Sequence, residues 1–188
     1  MEVVTNTSSV EDFWMLGFEN IHSLKGLLFC IFLISYIVTL SGNITIISVV
    51  SMSRCCHSPM YFFLGHLSVN DIIISTNVVP GMLCIVLNEG SSVSLGGCFT
   101  QIFFLSQSAV TECLLLTVMS YDRYVAICNP LRYSSFMDLQ LCSYLVGSCW
   151  VFGILSALPH NFILMQMTFC GSNMINHFYC DLIPVLAV

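Results

Sequence analysis

Long apolar runs separated by short polar breaks dominate this chain. A spanning helix needs roughly 20 mostly apolar residues, and four stretches meet that length: 27–50, 61–87, 99–127 and 141–163. The breaks carry residues that start or stop helices. Ser58-Pro59 opens the second run, Asn88-Glu89-Gly90-Ser91-Ser92 separates the second from the third, and Asn129-Pro130 closes the third. The pattern predicts an all-α membrane protein of one domain, 1–188, with a polar arm over 1–26 and a polar segment over 164–188. No internal repeat or flexible linker divides it.

Composition agrees: 7% of residues are charged and 57% are hydrophobic, where a soluble domain is roughly one quarter charged. A net charge of −6, with Lys25, Arg54, Arg123 and Arg132 as the bases, leaves no surface for neutralising a polyanion, so nucleic acid is excluded as a partner. Membrane lipid is the solvent. Arg54 falls between the first two runs, and Arg123 and Arg132 between the last two. Only Lys25 lies on the other side, so the positive-inside rule places the N-terminus outside. The start of the chain is acidic rather than basic, unlike a cleavable signal, and is expected to be retained. Asn6-Thr7-Ser8 in that external arm is a glycosylation sequon, whereas Asn43-Ile44-Thr45 lies inside an apolar run and should stay unmodified.

Polar residues inside the runs mark where function is concentrated. Gln101, Ser108, Glu112 and Arg123 recur on one side of the third helix, so that helix is expected at the centre of a bundle with Glu112 turned inward. At about 1.5 Å per residue, Glu112 stands about 16 Å above Arg123, Asp71 about 18 Å above Pro59, and Asn43 about 12 Å above Ser51. Asn43, Asp71 and Glu112 then share one layer. Two carboxylates and an amide there form a candidate site for Na⁺ or a proton, the alternative being a neutral hydrogen-bonded cluster with Asp71 held by Asn43 or Ser68. Trp150 reads as packing, Pro80 and Pro159 as points that loosen helices around a cavity, and His160 as either facing that cavity or satisfied at the interface.

At the inner end of the third run, Asp122-Arg123-Tyr124 puts an acid and a base where hydrophobic chain meets water. The pair either marks a helix end or forms a working cytoplasmic foot. Its neighbours carry a family pattern: Gly42-Asn43, then Pro59-Met60-Tyr61-Phe62-Phe63-Leu64, then Leu67-Ser68-Val69-Asn70-Asp71. Strongest is Met119-Ser120-Tyr121-Asp122-Arg123-Tyr124-Val125-Ala126-Ile127-Cys128, followed by Asn129-Pro130-Leu131-Arg132-Tyr133. In this order and spacing the motifs resemble the rhodopsin-like G-protein-coupled receptors, and within them the odorant receptors. The resemblance covers nearly the whole chain and implies the first four helices of a seven-transmembrane receptor bundle in the plasma membrane. Departures are modest: Ser120 stands where alanine is common, and Gly65-His66 where a serine-asparagine pair is common.

The resemblance implies that Arg123 is held by Asp122 at rest and, with Tyr124, engages a heterotrimeric G-protein α-subunit of the stimulatory type. It implies a disulfide between Cys98 and Cys180, and a partner for Cys170 beyond Val188. It points to a small-molecule odorant bound along Ile102, Leu105, Ser106, Ala109 and Val110, with Ser106 as a hydrogen-bond partner. Cys170, His177, Cys180 and Asp181 have the chemistry of a Cu or Zn site, but an oxidised cysteine is no thiolate ligand, and the disulfide reading leaves no metal there. The chain shows no nucleophile elbow, phosphate loop or metalloprotease helix, so no enzyme is expected. A four-span scaffold or adhesion protein, or a receptor fragment unable to signal, is the alternative. A transporter half is weaker, because the spans show neither internal symmetry nor paired broken helices.

Overall fold

The computed structural model describes residues 12–15, 24–52, 58–88, 90–167, 174–175 and 177–182. Asn6, Arg54 and Cys170, each given a role by the sequence, lie outside them. Four helices are long and apolar enough to cross a membrane: α1 (Lys25–Met52), α2 (Pro59–Asn88), α3 (Leu95–Cys128) and α5 (Leu139–Gln166). Each contains its expected apolar run and extends past it, because the ends are set by caps rather than by hydropathy. Ser94 accepts from the amide of Gly97 at 3.2 Å at the start of α3, and Asp138 accepts from Leu141 at 2.8 Å at the start of α5. Pro59 begins α2, where its missing N–H costs nothing. Pro130 likewise opens α4 (Pro130–Phe136), a short helix between α3 and α5 where the sequence indicated only a break.

Helix α3 packs against both α2 and α5, while α1 packs against α2. The expected central position of the third helix is thus the observed one. Toward α5 the fit is close: a Cβ on Gly153 would collide with Thr111 Oγ1 and lie 3.0 Å from the carbonyl oxygen of Gln107. Helix α1 presents no buried residue, and its tie to α2 includes a 3.2 Å hydrogen bond from Tyr36 to Thr76.

Three short strands cap one end of the bundle, a feature the sequence did not disclose. β1 (Asp12–Met15) lies between β2 (Ser91–Ser94) and β3 (Met174–Ile175), antiparallel to the first and parallel to the second. Strand alternation turns Phe13 and Met15 inward and leaves Trp14 47% exposed. Phe13 and Met15 join Ile85, Cys98, Ile102, Leu164 and Cys180 in an outer core, and a second core around Phe63, Leu115, Cys142, Val146 and Cys149 lies nearer the other end. Trp150 packs against that second core, as its reading as a packing element required. Gly90 makes the turn into β2 with φ 131°, and a Cβ there would sit 2.9 Å from the Met15 carbonyl oxygen. Only glycine fits both the dihedral and the space.

Candidate functional site

Helix α3 carries chemistry at three depths. At its outer end Cys98 is bonded to Cys180, the pairing the resemblance implied. A disulfide belongs in an oxidising compartment, so the strand-capped end faces out and the Arg123 end faces the cytosol, in agreement with the basic residues. The bond removes Cys180 from any metal site, and among the described residues no three potential metal ligands come together. Gln101 adds a second fastening. Its Oε1 accepts from the Cys180 amide at 2.7 Å and its Nε2 donates to the Asn77 carbonyl at 2.9 Å, while Asn77 Nδ2 donates to the Gln101 carbonyl at 3.0 Å. One side chain therefore joins α2, α3 and the disulfide-bonded segment. A cavity of about 320 Å³ opens beside it, walled by α2, α3, the strands and Phe178-Tyr179.

In the middle layer the polar stripe of α3 turns toward α2. Asn70, fully buried, donates to the Ser108 carbonyl at 3.1 Å, and Ser108 itself is fully buried. Asp71 and Glu112, both half-buried, lie within electrostatic reach of each other across the same interface. Asn43 does not complete the expected trio through its amide nitrogen, which donates to Thr39 of its own helix at 3.0 Å. The alternative in which Asn43 or Ser68 holds Asp71 gains no hydrogen bond among the described residues. What remains is two carboxylates close enough to influence each other, with no ion pair to a base among the described residues. Such a pair suits one shared proton or one monovalent cation, since it lacks the three or more ligands of a transition-metal site. Beside it, Gln107 donates to Thr111 at 3.0 Å on the α5 side, so α3 is polar toward both partners.

The cytoplasmic foot corrects one expectation. Asp122 is 1% exposed and accepts a 2.8 Å hydrogen bond from the Tyr133 hydroxyl of α4, while Arg123 is exposed and forms no ion pair with Asp122. The reason is helical geometry: neighbouring residues point about 100° apart and do not face each other. Asp122 falls on the buried side with Leu115 and Val125, and Arg123 does not. Tyr133 ends the Asn129-Pro130-Leu131-Arg132-Tyr133 motif, and nothing in the motif itself assigns it a role. Burial, and then its hydrogen bond to Asp122, push its phenol up to about 12. Around Arg123, the side chains of Tyr124, Ile127 and Leu131 are 61%, 78% and 97% exposed. The signal available in the sequence for this surface was Leu131, an apolar residue directly after the helix-starting Pro130 in a break between two apolar runs.

The expected odorant-lining residues divide. Ile102 is 1% exposed and belongs to the outer core beneath the disulfide. Leu105, Ser106 and Ala109 lie on the side of α3 that neither α2 nor α5 covers, with Val110 at its margin. None of the five lines the 320 Å³ cavity. His160 is exposed, with its Nδ1 3.0 Å from the Ser156 carbonyl, the satisfied interfacial arrangement.

A central helix bolted to an external cap by a disulfide, polar through its middle and ending in a cytosolic acid-and-base foot, places the chain among multi-pass helical membrane proteins. Comparison with known proteins gives the family. A family model described as olfactory receptor matches residues 29–188. Olfactory receptor 2A25 of Homo sapiens is 46% identical over 181 residues, covering 96% of this chain and 58% of that protein. Olfactory receptor 2A7 of Mus musculus is 44% identical with the same coverage, and olfactory receptor 11L1 of Homo sapiens is 44% identical over 96% of this chain and 56% of its own length. The chain belongs to the olfactory receptor family, seven-transmembrane receptors of the plasma membrane and not enzymes. It spans a little over half the length of these relatives.

Proposed function

We propose that this chain supplies the first four helices of a receptor that detects a small-molecule odorant and activates a stimulatory heterotrimeric G protein. The observation that carries the reading is the division of labour at the foot of α3. Asp122 is buried and tied to Tyr133, while Arg123, Tyr124, Ile127 and Leu131 stand exposed at the cytosolic end. A buried carboxylate held by one hydrogen bond is a contact with two arrangements, and a partner that binds one of them shifts the balance. The exposed guanidinium with adjoining apolar side chains is the surface on which the G-protein α-subunit docks. Odorant binds against the side of α3 that bears Leu105, Ser106 and Ala109, completed by further helices of the receptor. The Asp71/Glu112 pair holds a proton or Na⁺ whose loss accompanies the shift.

The test is cyclic-AMP signalling in cells expressing a full-length receptor that contains this chain. Arg123→Ala and Leu131→Ala are each expected to abolish odorant-evoked signalling while surface display is retained. Intact signalling in both variants would refute the assigned foot. A chain that reaches the surface and never signals in any full-length context would favour the scaffold or fragment reading.

A further inference from the structure

We propose that the cavity between the outer ends of α2 and α3 is a second small-molecule site, one that takes an uncharged, mainly apolar compound bearing a hydroxyl group. The inference does not depend on where the primary odorant binds, since none of Leu105, Ser106, Ala109 or Val110 lines this space. Its volume of about 320 Å³ lies at the small end of ligand sites, roughly 300–1,000 Å³. At about 30 Å³ per water, that is room for roughly ten waters or a ligand of similar heavy-atom count.

The lining sets the chemistry. Met15, Ile85, Val93 and Phe178 supply apolar walls, and none of the lining residues carries a charge at neutral pH. An ionic ligand would lose its hydration without compensation. The polar side chains already have partners among the described residues, with two exceptions, the Tyr179 hydroxyl and one atom of Asn77. Gln101 spends its amide nitrogen on Asn77 and its amide oxygen on Cys180, and the Thr100 hydroxyl donates to the Gly96 carbonyl at 2.8 Å. Asn77 must direct Nδ2 at the Gln101 carbonyl, which only accepts, and this fixes the orientation of its amide. Its Oδ1 then accepts no hydrogen bond from a described residue. A ligand donor satisfies it, which an alcohol supplies and an ether or ester does not.

The walls are also fixed in advance. The reciprocal amide bonds lock α2 to α3 at the floor, and the disulfide together with the Gln101 bond to Cys180 holds Phe178 and Tyr179 in place. A site already built in the free protein loses little ordering entropy on binding. The space exists because glycines border it. A Cβ on Gly81 or Gly96 would meet nothing within 4 Å, and neither has a left-handed φ.

Those two glycines make the test. A photoreactive diazirine alcohol of about eight carbons is applied to a full-length receptor that contains this chain, purified in lipid nanodiscs, and adducts are mapped by mass spectrometry. Adducts are expected to be saturable and concentrated on Ile85, Val93 and Phe178. Gly81→Val and Gly96→Val fill open space without touching the backbone, so both variants should fold, with retention of the Cys98–Cys180 disulfide as the check. Each should lose the adducts. The methyl ether of the same probe should label roughly three- to tenfold less, the worth of one hydrogen bond. Labelling spread evenly over lipid-facing side chains such as Ile34 and Val151 would overturn the proposal. So would labelling indifferent to both glycine variants, or displacement of the alcohol from these three residues by phospholipid.

Discussion

Replacing Gly153 with alanine tests the tightest fit at any described glycine. The added methyl would overlap Thr111 Oγ1 and stand 3.0 Å from the Gln107 carbonyl oxygen, which is backbone and cannot rotate away. Thr111 is fully buried and receives the 3.0 Å hydrogen bond from Gln107, so turning it aside breaks that bond and leaves a buried amide without a partner. Overpacking costs about 1–3 kcal/mol and the lost hydrogen bond about 1 kcal/mol, against a helix-propensity gain of about 1 kcal/mol for alanine over glycine. The net is a destabilisation of about 2 kcal/mol, roughly a 30-fold shift toward the unfolded side. Gly147 on the same helix is the control, because a Cβ there meets nothing within 4 Å. Unfolding of the detergent-solubilised protein by increasing denaturing surfactant should show Gly147→Ala unchanged or slightly more stable and Gly153→Ala clearly weaker. Adding Thr111→Ala to Gly153→Ala should cost less than the sum of the two single changes, since the clashing atom is gone. Equal behaviour of the two glycine variants would refute the close α3–α5 contact.

Tyr133 should be a late-titrating phenol. Its value is raised to about 12 from 10.0, so the stabilisation it gives is complete below about 10 and disappears as pH climbs through 12. An alkaline titration followed by phenolate absorbance should lose its last phase in Tyr133→Phe, and an unchanged profile would contradict the Asp122 contact. Gly90→Ala should cost about 1–3 kcal/mol from the unfavourable dihedral and the approach to Met15, read as easier proteolysis of the outer end. Cys98→Ser removes a cross-link over 82 residues, worth about 4 kcal/mol on a chain-entropy estimate, and should sharply reduce surface display.

The four spans were legible because bilayer thickness imposes a length that hydropathy reports directly. Their ends were not, since Ser94 and Asp138 extend α3 and α5 beyond the apolar runs by capping. The strands were hidden for a different reason: Asp12–Met15 and the serine-rich Ser91–Ser94 have no strand signal of their own and form only by pairing across a large sequence distance. At the site, the polar stripe of α3 and its central place followed from spacing, and the Cys98–Cys180 bond from family resemblance. The resemblance implied that Asp122 holds Arg123, whereas in the structure Asp122 accepts from Tyr133, because contact along a helix follows angle and not adjacency. The tight Gly153 contact needs two helices in place before it exists at all.

Helix α3 joins an outer, oxidised end to a cytosolic foot, and Cys128 offers the most direct measurement of that orientation. This native thiol is exposed and unpaired at the foot of α3, just past Ile127. A membrane-impermeant maleimide applied to intact cells should give no labelling that depends on Cys128, as judged against Cys128→Ser, and strong labelling once the cells are permeabilised. Cys128-dependent labelling of intact cells would put the Arg123 foot outside the cell and contradict the account.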